Sequence, residues 1–335
     1  MTGMKAAFAR GGAGIGSIAL REVAIPTPGP GEALVRLTAA TLNYRDLIML
    51  DGLLPGLAKQ PEFVPVSCAA GEVVAVADGV ARVKPGDRVS PLFAQGWIDG
   101  PADAQRMLGG STDGVARQFA AYEAESLVLL PDSLGDLEAA TLPCAGLTGW
   151  SALFDPRLLR PGEWVLVQGT GGVSIAALQW AKAAGAKVAL TSSSDAKLAR
   201  ARTLGADVTV NYRETPDWAG AVREELGGDR IAIVVDTIGT GTVDAAASLL
   251  GEDGIVAAIG MLDGTFSWSR QEVEGHPVKP IGVGNRHAHE AMLAFAAAKA
   301  VRPVVDQVFD LERLPDALRR LKAGSFFGKI GINLL

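Results

Sequence analysis

The chain has 335 residues, of which 48% are hydrophobic, and its 31 Lys and Arg against 37 Asp and Glu give a formal charge of −6. This length predicts two domains, and mild acidity without a basic run argues against a nucleic-acid partner, which would need a clustered Lys/Arg face. The apolar stretches are short and broken by Gly, Pro or charge, so we expect no membrane span, no signal segment and a cytoplasmic location.

The first third of the chain has the texture of a β-barrel or sandwich. Short alternating strands are predicted at residues 32–38, 71–76 and 87–91, separated by turns rich in Pro and Gly. The two cysteines, Cys68 and Cys144, are too few for a disulfide framework and are predicted to be reduced thiols. A cross-link between them is the alternative.

From Leu147 onward the pattern alternates between helices and strands. Strands are predicted at residues 164–168, 187–191, 207–211, 231–237 and 254–259, which indicates a parallel, doubly wound sheet. Residues 261–280 are predicted to form a loop. The tail predicts a helix at 288–299, a strand at 304–309, a helix at 315–322 and a strand at 329–334, and we expect it to return to the first domain.

A glycine turn joins the first of these strands to a helix. Its candidate cofactor residues are Gly169, Gly171, Gly172 and Val173, with Ser174 in the place of a third glycine. A strand, a tight turn and a helix N-terminus aim unpaired N–H groups at one point, where a pyrophosphate is favoured. The turn predicts a dinucleotide cofactor, although glycine turns also occur in sheets that bind nothing.

A serine run follows the second strand, where an NAD-binding protein usually carries an acid. The hydroxyls of Ser192, Ser193 and Ser194 can donate to a 2′-phosphate, and Lys197, one helical turn on, can meet its charge. Tyr212, after the third strand, could close the same pocket. The run therefore favours NADPH, and the alternative is that the serines only cap the next helix.

Five motifs occur in an order that resembles the medium-chain dehydrogenase/reductase superfamily, and specifically its zinc-free quinone-oxidoreductase-like branch. They are LNYRD at 42–46, VKPGDRV at 83–89, LPCAGLT at 142–148, the glycine turn with its serine run, and GSFFGKI at 324–330. The resemblance implies an α/β protein with a GroES-like β-barrel catalytic domain, residues 1–144 and 287–335. It further implies a Rossmann domain, residues 145–286, a nicotinamide cofactor in the cleft between the domains, and a homodimer.

Zinc enzymes of this superfamily hold their catalytic metal with a cysteine, a His-Glu pair and a second cysteine or an acid. The resemblance places at those positions Asn43, Ser67 with Cys68, and Cys144. Only Cys144 could ligate in place, whereas zinc needs three protein ligands, so we expect no metal. His287 and His289, two apart on a helix, do not face each other and are interpreted as a solvated pair.

Without a Lewis acid to stabilise an alkoxide, reduction is the favoured direction. We expect hydride transfer from NADPH to a quinone, an α,β-unsaturated carbonyl or a reactive aldehyde. Asn43 is predicted to donate an amide N–H to the substrate oxygen, and Tyr44 or a water to supply the proton. The alternatives are a turn amide for Asn43 and a packing role for Tyr44.

The resemblance completes the predicted cofactor site. It puts Thr148, Gly260, Val283 and Gly284 around the nicotinamide and makes Lys329 a candidate for the cofactor phosphates, or else a surface lysine. Two other function classes stay open, because a fold does not fix a function. They are a non-catalytic NADPH-binding sensory or structural protein and a zinc-type alcohol dehydrogenase; a methyltransferase-like use of the sheet is disfavoured by the serine run.

Overall fold

Strands and helices alternate along the chain much as the sequence patterns indicate. The structure, a computed structural model, describes residues 3–53, 56–260, 262 and 264–335. Its strands are β1 (Gly3–Phe8), β2 (Ala19–Ala24), β3 (Glu32–Thr41), β4 (Cys68–Val76), β5 (Arg88–Pro91), β6 (Phe119–Glu123), β7 (Leu127–Leu129), β8 (Trp164–Gln168), β9 (Lys187–Ser192), β10 (Val208–Asn211), β11 (Ile231–Asp236), β12 (Leu250–Ala258), β13 (Glu272–Val273), β14 (His276–Pro280), β15 (Val305–Asp310) and β16 (Lys329–Asn333). Its helices are α1 (Tyr44–Asp51), α2 (Asp136–Ala139), α3 (Leu147–Phe154), α4 (Gly172–Ala183), α5 (Asp195–Thr203), α6 (Trp218–Glu225), α7 (Thr240–Ala247), α8 (Arg286–Ala298) and α9 (Leu314–Lys322).

The chain divides into two compact units. The first is Met1–Cys144 with Gly284–Leu335, and the second is Ala145–Val283. The sequence-based division into domains, with its second boundary between 286 and 287, stays a prediction. In the first unit β1 and β2 form a two-stranded sheet, and a seven-stranded sheet has the order β15-β16-β3-β4-β5-β7, with β6 beside β3. The last strand pairs antiparallel with β3, Gly331 facing Thr41, so the tail is part of the first unit.

The central strand of the first unit, β3, shows why this sheet forms. Ala33, Val35 and Leu37 alternate along the strand and are fully buried, so one face of the strand packs into the core. The neighbouring strand β4 approaches closely at Gly71, where a Cβ would lie 2.2 Å from the carbonyl oxygen of Arg36. Glycine is therefore the residue that this pairing allows.

Helix α1 follows β3 directly and carries the first candidate catalytic residues on its first turn. Asn43 is its N-cap, and the Asn43 backbone N–H donates to Asp46 Oδ2 at 2.8 Å. The helix ends at Gly52, whose φ of 70° is left-handed. Burial of Leu47 and Leu50 anchors the helix, which fixes the backbone around Asn43.

The second unit is built on a parallel sheet in the order β10-β9-β8-β11-β12-β14, with β13 antiparallel at the edge. Numbered in chain order without β13, the six parallel strands read 3-2-1-4-5-6 across the sheet, the doubly wound order of dinucleotide-binding domains. All five residues of β8 are buried, as expected for a strand covered by helices on both faces. The predicted fold class, α/β with a doubly wound sheet and a GroES-like domain, is confirmed.

The predicted loop at 261–280 was wrong in its second half. Residues 272–273 and 276–280 form β13 and β14, and β14 runs parallel to β12 with Val256 opposite Val278. Two prolines and exposed charges made this segment look like a loop, and of the residues in β14 only Val278 is buried. Such a composition is tolerated because the strand lies near the sheet edge. Residues 261 and 263 of the predicted loop lie outside the described residues.

Candidate cofactor site and active site

The glycine turn leads from β8 into α4 as a tight loop. Gly169 has a left-handed φ of 77°, and its N–H donates to Thr191 O at 2.8 Å. Gly171 is the N-cap of α4, and a Cβ placed on it would meet nothing within 4 Å. Gly172 and Val173 form the first turn of this helix, where N–H groups have no intrahelical partner. An anion therefore has both donors and open space at this helix end.

Ser174 takes the place of the third glycine of the fingerprint, after Gly169 and Gly171. Its side chain is buried, and its Oγ donates to the carbonyl oxygen of Gln168 at 2.7 Å. This bond ties the first turn of α4 to the end of β8. The serine thus supports the close approach of helix and strand that a third glycine would otherwise permit.

The serine run lies at the carboxyl end of β9, beside the end of β10. Ser194 caps α5, since its Oγ accepts the Lys197 backbone N–H at 3.4 Å, so the capping alternative applies to this serine. Ser192 is buried as the last residue of β9, and the half-buried Ser193 follows it. The Tyr212 N–H donates to Ser192 O at 3.1 Å, and the Tyr212 side chain is 43% exposed. The structure thus brings all five predicted 2′-phosphate residues to one edge of the sheet.

One acidic side chain stands at the same edge. Asp195 is exposed in the first turn of α5, and its Oδ1 accepts from Asn211 Nδ2 at 2.9 Å. A carboxylate here opposes a phosphate and suits ribose hydroxyls. The edge therefore carries both a cation, Lys197, and an anion.

The predicted nicotinamide residues of the second unit lie on α3 (Thr148), just after β12 (Gly260) and after β14 (Val283). Gly260 donates its N–H to Asp236 O at 3.0 Å, and a Cβ on it would lie 2.0 Å from the carbonyl carbon of Thr237. Val283 accepts a hydrogen bond of 2.9 Å from Ser151, one turn along α3 from the buried Thr148. Gly284, with φ 138°, is the first residue of the returning segment.

A separate cavity of about 570 Å³ opens at the opposite, amino-terminal edge of this sheet. Residues at the starts of β8, β11 and β12 line it, including Trp164, Asp229 and Asp253. Within it Arg157 pairs with Glu163 at 2.6 Å. None of the predicted cofactor residues belongs to this cavity, and dinucleotides bind at the carboxyl edge, so we do not assign the cofactor to it.

The first unit contains a buried polar cluster around Asn43, which is 7% exposed. Lys329 Nζ donates to Asn43 Oδ1 at 2.5 Å and also to the carbonyl oxygen of Leu42. An ammonium only donates, so the amide oxygen must face Lys329 and the amide nitrogen must face the other way. Asn43 Nδ2 donates to Ser67 Oγ at 3.2 Å and to Cys68 Sγ at 3.0 Å. The orientation of the amide is thus fixed by its neighbours.

The two thiols of this cluster interact with each other. Burial opposes ionisation of Cys68, but the hydrogen bond from Cys144, the Lys329 ammonium and the Asn43 amide outweigh it and lower the pKa of Cys68 to about 7. The hydrogen bond to Cys68, burial and the charge of Cys68 raise the pKa of Cys144 well above its ordinary value. The two pKa shifts have opposite directions, so Cys68 is the more acidic thiol of the pair.

Charged groups complete the cluster. Asp46 is fully buried, and burial raises its pKa, partly offset by Arg45, by the Asn43 N–H and by Lys329. Burial lowers the pKa of Lys329, against the effect of both cysteines and Asp46. Arg45 Nη1 donates to Leu108 O at 2.8 Å, and its guanidinium lies 4.8 Å above the Phe93 ring. Arg45 and Asp46, both on the first turn of α1, thus have separate hydrogen-bond partners.

Two predictions about individual residues need correction. Lys329 was expected to reach the cofactor phosphates or to lie on the surface, but it is buried and its ammonium is bound to Leu42 and Asn43. His287 is exposed, as expected of a solvated residue, but His289 is fully buried on α8. The spacing of the pair along the helix put them on different faces, and only one of those faces meets solvent. Tyr44 is 41% exposed.

The cluster does not fit a bound zinc ion. Zinc needs three or more protein ligands from thiolates, imidazoles and carboxylates. The groups gathered around Asn43 are two thiols, an amide, a hydroxyl and the Asp46 carboxylate, and this carboxylate accepts the Asn43 backbone N–H. The Lys329 ammonium adds a positive charge beside them. No group of three or more His, Cys, Asp or Glu side chains able to hold a metal lies in the part of the chain that the structure describes.

The sequence pointed to Asn43 but not to its partners. Lys329 is 286 residues away in sequence, and no local pattern couples it to Asn43. The signal was the resemblance, which placed LNYRD, LPCAGLT and FFGKI among the motifs of one family without showing that they meet. Arg45 is half-buried, and its charge acts to lower the pKa of Cys144.

No helix within the described ranges is both long and apolar enough to cross a membrane.

Residues 29–132 match the alcohol dehydrogenase GroES-like domain, and residues 172–298 match the zinc-binding dehydrogenase family. A zinc-type alcohol dehydrogenase-like protein of Schizosaccharomyces pombe is 39% identical, covering 91% of each chain. An acryloyl-coenzyme A reductase of Metallosphaera sedula is 33% identical over 93% of this chain and 95% of its own length.

The solved structures agree with this assignment. The structure of an NAD-dependent alcohol dehydrogenase superposes with a TM-score of 0.88 at 31% identity, covering 98% of this chain and 99% of that one. Members of the family bind nicotinamide cofactors, in keeping with the glycine turn on α4. The zinc-free branch stays a prediction. The chain belongs to the medium-chain dehydrogenase/reductase superfamily and is an oxidoreductase of that family.

Proposed function

We propose that the protein uses NADPH, without zinc, to reduce a quinone, an α,β-unsaturated carbonyl or a reactive aldehyde. The observation that carries this proposal is the buried Lys329 ammonium, 2.5 Å from Asn43 Oδ1 and within the charge field of both thiols. The positive charge of Lys329 disfavours the binding of a divalent metal ion in the same cluster. Chemistry that needs no Lewis acid is then favoured, which is reduction of a carbon that is already electrophilic.

Bound NADPH would supply the hydride. When hydride adds to the carbon of such a substrate, an electron pair moves onto the substrate oxygen, which needs donors and then a proton. Asn43 can donate through Nδ2 only if the substrate oxygen replaces Ser67 or Cys68 as its acceptor. Asn43 and Tyr44 stay our predicted catalytic residues, with the exposed Tyr44 phenol or a water as the proton source.

Arg45 is a third candidate that the structure adds. A guanidinium carries five N–H donors, and the described hydrogen bond to Leu108 uses one of them. Its position over Phe93 holds the group in place, and it is only half-buried. An oxyanion could therefore be met by Arg45 without displacing a partner, which suits an enolate or a quinol anion.

NADPH is proposed on the basis of the serine edge. Ser192, Ser193 and Lys197 offer donors and a charge for a 2′-phosphate, together with Tyr212. Asp195 is the opposing feature, because its carboxylate favours ribose hydroxyls. The likeness to an NAD-dependent alcohol dehydrogenase also favours NAD over NADPH, as Asp195 does. These observations support NAD-linked, zinc-type alcohol oxidation as the second candidate.

A single assay separates the candidates. Loss of NADPH absorbance is followed beside NADH, with and without chelator, over a panel of quinones, enones, acryloyl thioesters, aldehydes and simple ketones. We expect chelator-resistant turnover that prefers NADPH. NAD-linked alcohol oxidation that chelator abolishes would refute the proposal and establish the second candidate. Tight NADPH binding without turnover of any acceptor would instead support a non-catalytic binding protein.

A further inference from the structure

The amide of Asn43 has a donor end and an acceptor end of nearly equal size, so its chemistry depends on which way it faces. Three side chains bond to it among the described residues. Its oxygen accepts from Lys329 Nζ at 2.5 Å, and its nitrogen donates to Ser67 Oγ at 3.2 Å and to Cys68 Sγ at 3.0 Å. Turning the amide by about 180° would exchange the two ends.

The three partners do not discriminate equally between these two orientations. A hydroxyl and a thiol each carry a hydrogen and lone pairs, so Ser67 and Cys68 are able to bond to either end of the amide. Their mutual contact, 3.8 Å between Oγ and Sγ, likewise allows either atom to donate. An ammonium has hydrogens only, so Lys329 bonds to the oxygen end and repels the nitrogen end. Lys329 is therefore the partner that selects the observed orientation.

The ionisation of Cys68 depends on the same lysine. Burial opposes ionisation, but Cys144, Lys329 and Asn43 together lower the pKa of Cys68 to about 7. A thiolate only accepts, so ionised Cys68 supports the orientation that Lys329 selects. Loss of the lysine charge would return Cys68 to the thiol, which bonds to either end of the amide.

The backbone holds Lys329 at this place. Lys329 is the first residue of β16, and its N–H donates to Val304 O at 3.1 Å. On the other side, the Leu42 N–H donates to Ile330 O at 3.0 Å. Gly328 precedes the lysine with a left-handed φ of 73°, and a Cβ there would lie 2.7 Å from Val304 O. The lysine side chain is 5% exposed, so its ammonium is confined to the cluster.

We propose that Lys329 is a positioning residue for the reduction, because it keeps the Asn43 amide turned so that an N–H, and not a carbonyl oxygen, faces the substrate oxygen. This inference rests on the proposed function, in which the substrate oxygen replaces Ser67 or Cys68 as the acceptor of Nδ2. Negative charge develops on that oxygen as hydride adds to the substrate. A donor stabilises this charge, whereas a carbonyl oxygen would repel it. Lys329 acts through Asn43 and does not need to touch the substrate.

Steady-state kinetics of Lys329→Met tests this role. The kcat should fall by about twofold if the two orientations become equally populated, and by up to about a hundredfold if a whole oxyanion donor is lost. The Kd of NADPH should stay unchanged. Lys329→Arg, which keeps a group that only donates, should retain more activity, and the exposed Lys322→Met is the matched control. An unchanged kcat in Lys329→Met would overturn the proposal.

The same substitution in an Asn43→Ala background separates positioning from a merely structural effect. With no amide to orient, Lys329→Met should lower kcat no further. A lysine that only stabilised the fold, or that acted directly on the substrate, would cost the same factor with and without the amide. Equal losses in the two backgrounds would therefore overturn the proposal.

Nuclear magnetic resonance of the full chain tests the orientation without a substrate. The chain has four asparagines, and Asn43 is buried while the other three are half-buried, so labelling asparagine with ¹⁵N isolates its NH₂ signal. In wild type this NH₂ should show nuclear Overhauser contacts to the β-hydrogens of Ser67 and Cys68. In Lys329→Met these contacts should weaken, and contacts to the methyl group introduced at position 329 should appear.

The outcomes distinguish this inference from the function on which it rests. An unchanged Asn43 NH₂ signal in Lys329→Met would overturn the role of Lys329, whatever the enzyme reduces. If that variant does not fold, wild type decides, because contacts from the NH₂ to the Lys329 ε-hydrogens in place of Ser67 and Cys68 would also overturn it. Absence of turnover on every acceptor, with the amide signals as expected, would instead refute the proposed function.

Discussion

Lowering the pH should reduce the stability of the first unit through one buried histidine. Replacing that histidine should remove this part of the pH dependence. His289 is fully buried on α8, and neither ring nitrogen has a hydrogen-bond partner among the described residues. Burial lowers the pKa of His289 from 6.5 to about 4. Between these two pKa values the imidazole is protonated in the unfolded chain and neutral in the folded chain. The free energy of unfolding therefore falls as the pH decreases through this window.

The size of the effect follows from the two pKa values. A difference of about 2.5 units corresponds to about 3 kcal/mol once the pH is below both values, and to about 2 kcal/mol at pH 5. His289→Leu removes the proton site and also two unpaired buried nitrogens, each of which costs about 1–3 kcal/mol. The variant should therefore be more stable at pH 7 and gain further on wild type as the pH falls.

Urea unfolding of wild type and His289→Leu from pH 7 to pH 4.5 measures this directly. Taking the difference between the two midpoints at each pH cancels the acid sensitivity of all other groups. The difference should widen as the pH falls from 6.5. His287→Leu, at an exposed site two positions away, is the matched control and should track wild type at every pH. Parallel curves for wild type and His289→Leu would show that the buried imidazole does not resist protonation.

Four further outcomes are expected. Lys197→Ala should weaken the binding of NADPH by about tenfold or more and that of NADH little, because a hydrogen bond to a charged group contributes about 1.5–3 kcal/mol. Lys182→Ala, at the far end of α4, is the control and should change the affinity for neither cofactor. Equal losses of affinity for both cofactors would contradict the phosphate assignment. Exhaustive chelation should leave reductase turnover unchanged, and activity that returns only with added zinc would rule out the metal-free mechanism. Lys329→Met should raise the pKa of Cys68 above about 7, followed through the absorbance of the thiolate, because a stabilising cation is lost. Lys322→Met, at an exposed position, is the control. An unchanged pKa in Lys329→Met would show that Lys329 does not act on the thiol. Sedimentation should give the predicted homodimer, and a monomer at all concentrations would refute it.

The sequence predicted the second unit well because its strands are buried and continuous. The predicted strand at 164–168 coincides with β8, and the predicted strand at 187–191 ends one residue before β9 does. Prediction failed for β14, because Pro277 and Pro280 are typical of a loop, although the strand pairs with both β12 and β13. A local pattern cannot report a strand that tertiary pairing stabilises.

The candidate sites differ in the same way. The cofactor edge is local, since a turn and a serine run follow consecutive strands of one sheet, and its residues assemble as their positions predict. The cluster around Asn43 depends on contacts between β4, β16 and the turn before α3, which no spacing reveals. His289 shows the limit most clearly, because a polar residue on a helix gives no sign that its face is covered.

The charges of the Asn43 cluster explain why Lys329 can be buried at all. An isolated ammonium loses several kcal/mol of hydration on burial, and burial does lower the pKa of Lys329. The carbonyl of Leu42, the Asn43 oxygen and the opposing charge on Cys68 and Asp46 offset that loss. The lysine in turn stabilises the Cys68 thiolate, so removing its charge should raise the pKa of Cys68.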